Sequence, residues 1–169
     1  MAKQSNYLLM GALALLLAAC TTSPRKEEPA SLQEVDERVR EPARQESDGV
    51  QVFPLRNPAV EKLYEEAAEA EAAGDLDQAA VLLERALRIQ PRNPEVLQQM
   101  AEIQLAKKDY EQALTFATRS YDIGPRVGEI CSRNWRTISV AREYQGNIEA
   151  SVEAESKATA CMNTKPRGM

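Results

Sequence analysis

The strongest constraint on the fold is an internal repeat with a period of 34 residues. At this offset, identical residues of the first and second copies pair as Asp75 with Asp109, Gln78 with Gln112, Ala79 with Ala113, Ile89 with Ile123 and Pro91 with Pro125. Apolar residues within each copy recur at spacings of three and four, which places them on one face of a helix. The prolines at the end of each copy cannot continue a helix. The pattern therefore predicts an all-α chain of stacked helix pairs.

The turn inside the first copy, Gly-Asp-Leu-Asp-Gln-Ala at 74–79, resembles the mid-repeat turn of the tetratricopeptide repeat (TPR), a family with this period. Residues 107–113 keep the pattern without the glycine. Residues 144–150 repeat it after four extra residues, which we assign to a longer loop between Pro125 and Trp135. The resemblance implies a short TPR solenoid over 57–162, with three helical hairpins at about 58–90, 94–123 and 130–162.

The N-terminus has the features of an export signal. After a positively charged start, the apolar run 7–19 is 13 residues long, which is too short to span a bilayer but suits a secretory signal peptide. The run ends in Leu-Ala-Ala-Cys, which resembles the lipobox of bacterial lipoproteins. The resemblance implies removal of residues 1–19, acylation of Cys20 (diacylglycerol, palmitate) and, because Thr21 follows, an outer-membrane anchor facing the periplasm. The alternative is an ordinary signal peptide with an incidental cysteine.

Residues 20–56 are predicted to form a disordered tether. Their charges alternate without forming blocks of one sign, and they contain four prolines. They hold too little apolar surface to offset the entropy of ordering. We expect at most a transient helix over 31–40, ended by Pro42. The apolar stretch Val50–Leu55 either docks on the folded domain, which we favour, or binds a partner. Fully extended, the 36 residues beyond the cysteine span at most roughly 120–130 Å. The C-terminal tail, 163–169, is also predicted to be disordered.

The two remaining cysteines are predicted to form a disulfide. Cys131 opens the third hairpin and Cys161 closes it, so the antiparallel geometry brings the two residues side by side. An oxidising periplasm would favour the bond. Two free buried thiols, or a redox pair, are the alternatives, although the chain has no Cys-x-x-Cys motif.

The composition argues against an enzyme. The chain has no histidine, which excludes Ser-His and Cys-His nucleophiles and His-ligated zinc or haem. A sequence pI near 5.0 argues against nucleic-acid binding, which needs a basic surface. No glycine-rich phosphate loop or calcium-loop pattern occurs. We therefore expect a protein that binds another protein and needs no cofactor or metal.

In TPR proteins the first helices of the hairpins line a groove that binds peptides. Placing this chain on that geometry predicts partner contacts at Tyr64, Gln98, Glu102, Arg133, Trp135, Arg136 and Tyr144. Arg133 and Arg136 lie three residues apart on one helix and are expected to be exposed. Trp135 either contacts the partner, since tryptophan is common in binding hot spots, or packs between the second and third hairpins.

The combination of a lipobox, a long tether and a short TPR domain resembles one family. With the segments 85–94 (Arg-Ala-Leu-Arg-Ile-Gln-Pro-Arg-Asn-Pro) and 133–136 (Arg-Asn-Trp-Arg), it is similar to the TPR-type outer-membrane lipoprotein activators of class A penicillin-binding proteins. The resemblance implies a domain that crosses the cell wall and stimulates a bifunctional peptidoglycan synthase. The alternative is a pilotin-type lipoprotein that assembles an outer-membrane secretin or pilus complex, although known pilotins carry more repeats.

Overall fold

The computed structural model describes residues 31–45 and 57–162, and both segments are helical. Helix α1 runs through Leu32–Val35, a π-helical stretch Asp36–Arg40, and Glu41–Gln45. Three hairpins follow, formed by α2 (Pro58–Ala72) with α3 (Leu76–Ile89), α4 (Pro94–Ala106) with α5 (Tyr110–Ile123), and α6 (Glu129–Tyr144) with α7 (Ile148–Met162). From α2 onward, each helix packs against the next along the chain. The predicted fold class, an all-α TPR solenoid of three hairpins, is confirmed.

Several predictions concern residues that the structure does not describe. The signal peptide, Cys20, the Val50–Leu55 stretch and the tail 163–169 all lie outside the described residues. None of the helices in the described part of the chain has the length and apolarity of a membrane span.

Side-chain caps explain why the same residues recur in each repeat. Asp75, Asp109 and Asn147 each accept a hydrogen bond from the backbone N–H three residues further on, at 3.0, 3.0 and 3.1 Å. Each cap satisfies an N–H group that the first turn of the helix leaves without a partner. Asn57 and Asn93 cap the first helices of the first two hairpins. Asn57 accepts from the N–H two residues on, Asn93 accepts from the N–H groups two and three residues on, and each is followed by a proline in the first turn.

The turn within each hairpin requires a left-handed residue. Gly74 has φ 80° and Gly146 has φ 77°, a conformation that glycine adopts without steric cost. Lys108 occupies the equivalent position of the second hairpin with φ 68°. The repeat tolerates this residue because the flanking backbone hydrogen bonds of the turn, from Lys108 and Asp109 to the end of α4, are kept.

The four extra residues of the third repeat lie mainly in a helix, so the prediction of a longer loop is wrong in the main. Helix α6 has 16 residues and α4 has 13, whereas the loop before α6, 124–128, is only one residue longer than the loop 90–93. Three extra residues lengthen a helix by almost one turn. The longer α6 therefore reaches beyond α4 at one end of the solenoid.

The predicted disulfide is present. Cys131 and Cys161 are bonded, with their Cα atoms 5.7 Å apart. Next to it, the backbone N–H of Gly128 donates to the carbonyl of Cys161 at 2.9 Å. The bond and the hydrogen bond together fix the start of α6 against the end of α7.

The structure differs from the predicted tether at residues 32–45. Val35, Val39 and Ala43, spaced four apart, are buried against the TPR domain. The expectation that Pro42 ends the helix is wrong. The N–H of Glu41 donates to the carbonyl of Asp36, five residues back, which makes a π-helical turn wider than an α-helical one. This turn lies directly before Pro42, which would disfavour a regular α-helical turn, and the helix continues beyond the proline. The segment is too polar to fold alone, but the domain supplies the surface that it lacks.

Candidate protein-binding groove

The first helices of the hairpins, α2, α4 and α6, line a groove, and α1 lies in it. The first turn of α1, Leu32–Val35, packs against α4, and the rest of α1, residues 36–45, packs against α6. Val35 and Val39 join an apolar cluster with Leu105 of α4 and Val140 of α6. Burying a valine contributes about 1.5–3 kcal/mol relative to leaving it exposed. The groove therefore holds a helix through a strip of small apolar side chains.

A buried cluster of charges crosses the middle of the groove. Glu102 of α4 is fully buried. The guanidinium of Arg133 donates to both oxygens of this carboxylate, from Nε to Oε1 at 2.8 Å and from Nη2 to Oε2 at 2.7 Å. From α1, Arg40 Nε donates to Glu102 Oε2 at 2.7 Å and Arg40 Nη2 lies 2.6 Å from Glu71 Oε1. Gln98 Nε2 donates to Glu102 Oε1 at 2.9 Å. The cluster joins α1, α2, α4 and α6.

Glu102 and Arg133 stay charged near neutral pH. Burial raises the pKa of the Glu102 carboxyl, but the charges of Arg133 and Arg40 and the hydrogen bonds that Glu102 accepts outweigh it, so that the pKa falls to about 2. Burial lowers the pKa of Arg133, and the adjacent Glu102 carboxylate raises it above its usual value. A carboxylate held in this way is a poor proton donor or acceptor near neutral pH. The arrangement serves to join helices.

A second polar cluster fixes the start of α1. Tyr144 of α6 donates from its hydroxyl to Glu34 at 2.7 and 2.8 Å, and its ring stacks on Tyr110 with centroids 5.1 Å apart. Arg38 pairs with Glu34 at 2.9 Å and with Glu143 at 2.6 Å. Burial and the hydrogen bond to Glu34 raise the pKa of the Tyr144 hydroxyl.

The structure brings most of the predicted partner contacts to one surface. Gln98, Glu102, Arg133 and Tyr144 contact one another or α1 as described, and Tyr64 borders, with Arg133, a cavity of about 510 Å³ beside α1. These residues line the groove, but α1 engages much of the surface that they form.

Trp135 and Arg136 do not share that surface. The Trp135 ring lies edge-on to Tyr121 of α5 with centroids 4.8 Å apart, and the ammonium of Lys157 from α7 lies 4.4 Å from the ring centroid. Trp135 thus packs between the second and third hairpins, as one of the two alternatives proposed. Arg136 pairs with Glu155 of α7.

The expectation that Arg133 and Arg136 are exposed is wrong. Only 14% of the Arg133 side chain and 8% of the Arg136 side chain are accessible to solvent. The reason is that α1, α4, α5 and α7 all pack against α6, so that ten of its 16 residues are buried. Neither arginine is available as a surface contact.

Sequence reasoning missed Arg38 and Arg40 as groove residues. Both lie in the stretch assigned to the tether. The signal that could have found them is the spacing of Val35, Val39 and Ala43, which places three apolar side chains on one helix face.

The comparisons with known proteins agree with this geometry. The family model "Tetratricopeptide repeat" matches residues 70–119. A solved structure of the CopN-Scc3 complex is 15% identical and covers 95% of this chain and 89% of that chain with a TM-score of 0.56, a likeness of fold alone. No curated protein matches the chain. Fold and repeat together define a TPR protein, a class of non-catalytic scaffolds for protein interaction.

One solved structure identifies the family. The globular C-terminal domain of LpoP from P. aeruginosa is 34% identical, with a TM-score of 0.58, and the match covers 62% of this chain and 99% of that chain. The chain belongs to the LpoP family, the TPR-type activator lipoproteins that its sequence resembles. The family assignment made from the sequence is confirmed.

Proposed function

We propose that this protein binds and stimulates a bifunctional peptidoglycan synthase, a class A penicillin-binding protein, in cell-wall synthesis. The observation that carries the proposal is the 34% identity to LpoP across 99% of its globular domain. The TPR fold supports it, since a TPR domain is a scaffold for binding another protein. The family model and the two similar solved structures do not favour the alternative of a secretin or pilus assembly lipoprotein.

The proposal predicts stimulation of a purified synthase. We expect the mature chain without its lipid, residues 21–169, to increase the rate at which a pseudomonad class A synthase polymerises glycan chains from lipid II. A second class A synthase of the same organism is the specificity control. An unchanged rate at saturating concentrations of a chain shown by circular dichroism to be folded would contradict the proposal.

We further propose that Cys20 anchors the protein in the outer membrane with the domain facing the periplasm. The lipobox residues 17–20 support this placement, and an anchor of two or three acyl chains is far more stable than a single chain. In cells fed labelled palmitate, we expect the wild-type protein and a Cys131→Ala control to carry the label and Cys20→Ala to lack it. Label that persists in Cys20→Ala would refute the anchor.

A further inference from the structure

We propose that the groove is a binding site for an amphipathic helix of defined pattern, and that α1 is its built-in competitor. The pattern is apolar side chains at the first, fifth and ninth positions and an arginine at the sixth, which α1 provides as Val35, Val39, Ala43 and Arg40. A partner helix with this pattern enters the groove only when α1 leaves. The inference goes beyond the proposed function, because it holds whichever protein the domain activates.

The first argument is that one face of α1 makes the contact. Val35, Val39 and Ala43 are buried, whereas Glu37 and Arg44 on the opposite face are exposed. The side chains that enter the groove are small and aliphatic, and Val35 and Val39 pack with apolar side chains of α4 and α6. Recognition therefore depends on the pattern of one helix face, which a helix from another protein can also present.

The second argument is charge. The groove contributes three carboxylates, those of Glu71, Glu102 and Glu143, and the guanidinium of Arg133. This leaves an excess of acidic groups, two of them buried. The two arginines that α1 brings pair with all three carboxylates. Because an unpaired buried charge is strongly unfavourable, the site selects a helix that carries a cation at this position.

The third argument is that α1 is suited to leave. It has only 14 residues, near the length at which isolated helices are marginal in water, and a π-helical stretch interrupts its middle. Docking costs the conformational entropy of ordering these residues, and only three buried apolar side chains and a few ion pairs offset that cost. Being part of the same chain, it competes at an effective concentration on the order of millimolar. A partner helix therefore has to bind the groove tightly enough, at its own concentration, to compete with this local concentration of α1.

The test uses a fluorescent peptide with the sequence of residues 31–45 and the mature chain, residues 21–169. The double variant Val39→Asp with Arg40→Glu places carboxylates at two buried contacts of α1 and is expected to release it. By fluorescence anisotropy, we expect the peptide to bind this variant at least tenfold more tightly than it binds wild type. A peptide carrying Arg40→Glu should not bind the variant.

The matched control is Arg44→Glu, which makes the same charge change as Arg40→Glu on the same helix, but at a side chain that is 52% exposed. This control should bind the peptide as weakly as wild type does. The substitutions lie outside the hairpins, and circular dichroism checks that the domain stays folded. A second variant, with 31–45 replaced by a Gly-Ser segment of equal length, should bind the peptide as the double variant does.

Three results would overturn the proposal. Equal affinity of the peptide for wild type and both release variants would show that α1 does not compete for the groove. Binding of the Arg40→Glu peptide at full strength would show that the pattern is not recognised. A wild-type dimer in light scattering that dissociates on replacement of 31–45 would show that α1 occupies the groove of a second copy.

Discussion

Replacing Arg133 with methionine is expected to lower the free energy of unfolding by about 3–5 kcal/mol, the usual loss when one partner of a buried ion pair is removed. The substitution deletes both hydrogen bonds that Arg133 donates to Glu102. Glu102 would remain fully buried, with Arg40 as its remaining cation. Urea denaturation of the mature chain, followed by far-UV circular dichroism, measures the loss.

The control for this prediction is Arg88→Met on α3. The Arg88 side chain is 74% exposed and lies 3.8 Å from Glu84 in a surface pair, so its loss should change stability by no more than about 0.5 kcal/mol. A loss below 1 kcal/mol for Arg133→Met, on the order of a single surface pair, would contradict the role given to the cluster. Because Arg133 is buried in this cluster, a substitution that reverses its charge is expected to affect folding, and a loss of partner binding in such a variant would not by itself show that Arg133 contacts the partner.

Reducing the disulfide is expected to lower the free energy of unfolding by about 3–4 kcal/mol, from the loop-closure entropy of the unfolded chain. The two cysteines are separated by 30 residues, and the bond joins the start of α6 to the end of α7. Urea denaturation with and without dithiothreitol gives the difference.

A double variant, Cys131→Ala with Cys161→Ala, controls for effects of the reductant on the rest of the molecule. Its unfolding midpoint should be the same with and without dithiothreitol and should lie near that of the reduced wild type. Identical midpoints for oxidised and reduced wild type would contradict the prediction.

The hairpins could be predicted because their signals are local. Asp75 and Asp109 cap helices through the backbone N–H three residues on, and Pro91 and Pro125, which follow α3 and α5, act on adjacent residues. Such signals need no knowledge of the tertiary structure. The disulfide was predictable for a related reason, since the ends of an antiparallel hairpin must meet.

The docking of α1 could not be predicted from its own residues. Val35, Val39 and Ala43 are too few to stabilise a helix alone, and their burial depends on helices α4 and α6, which lie far away in the sequence. The burial of Arg133 and Arg136 is likewise a tertiary effect, since four other helices surround α6. The composition of a segment indicates only how that segment behaves by itself. The docking of α1 and the burial of the two arginines depend instead on the helices that pack against them.

If the protein is anchored at Cys20 as proposed, the position of α1 sets how far the domain can lie from the membrane. With the proposed anchor at Cys20 and α1 docked, only the 11 residues 21–31 separate the lipid from the groove, and they reach at most roughly 36–40 Å. With α1 released, the whole of 21–56 becomes available, and the limit rises to roughly 120–130 Å. Opening the groove and extending the tether are thus one event, so that a partner helix in the groove would hold the domain in its far-reaching state.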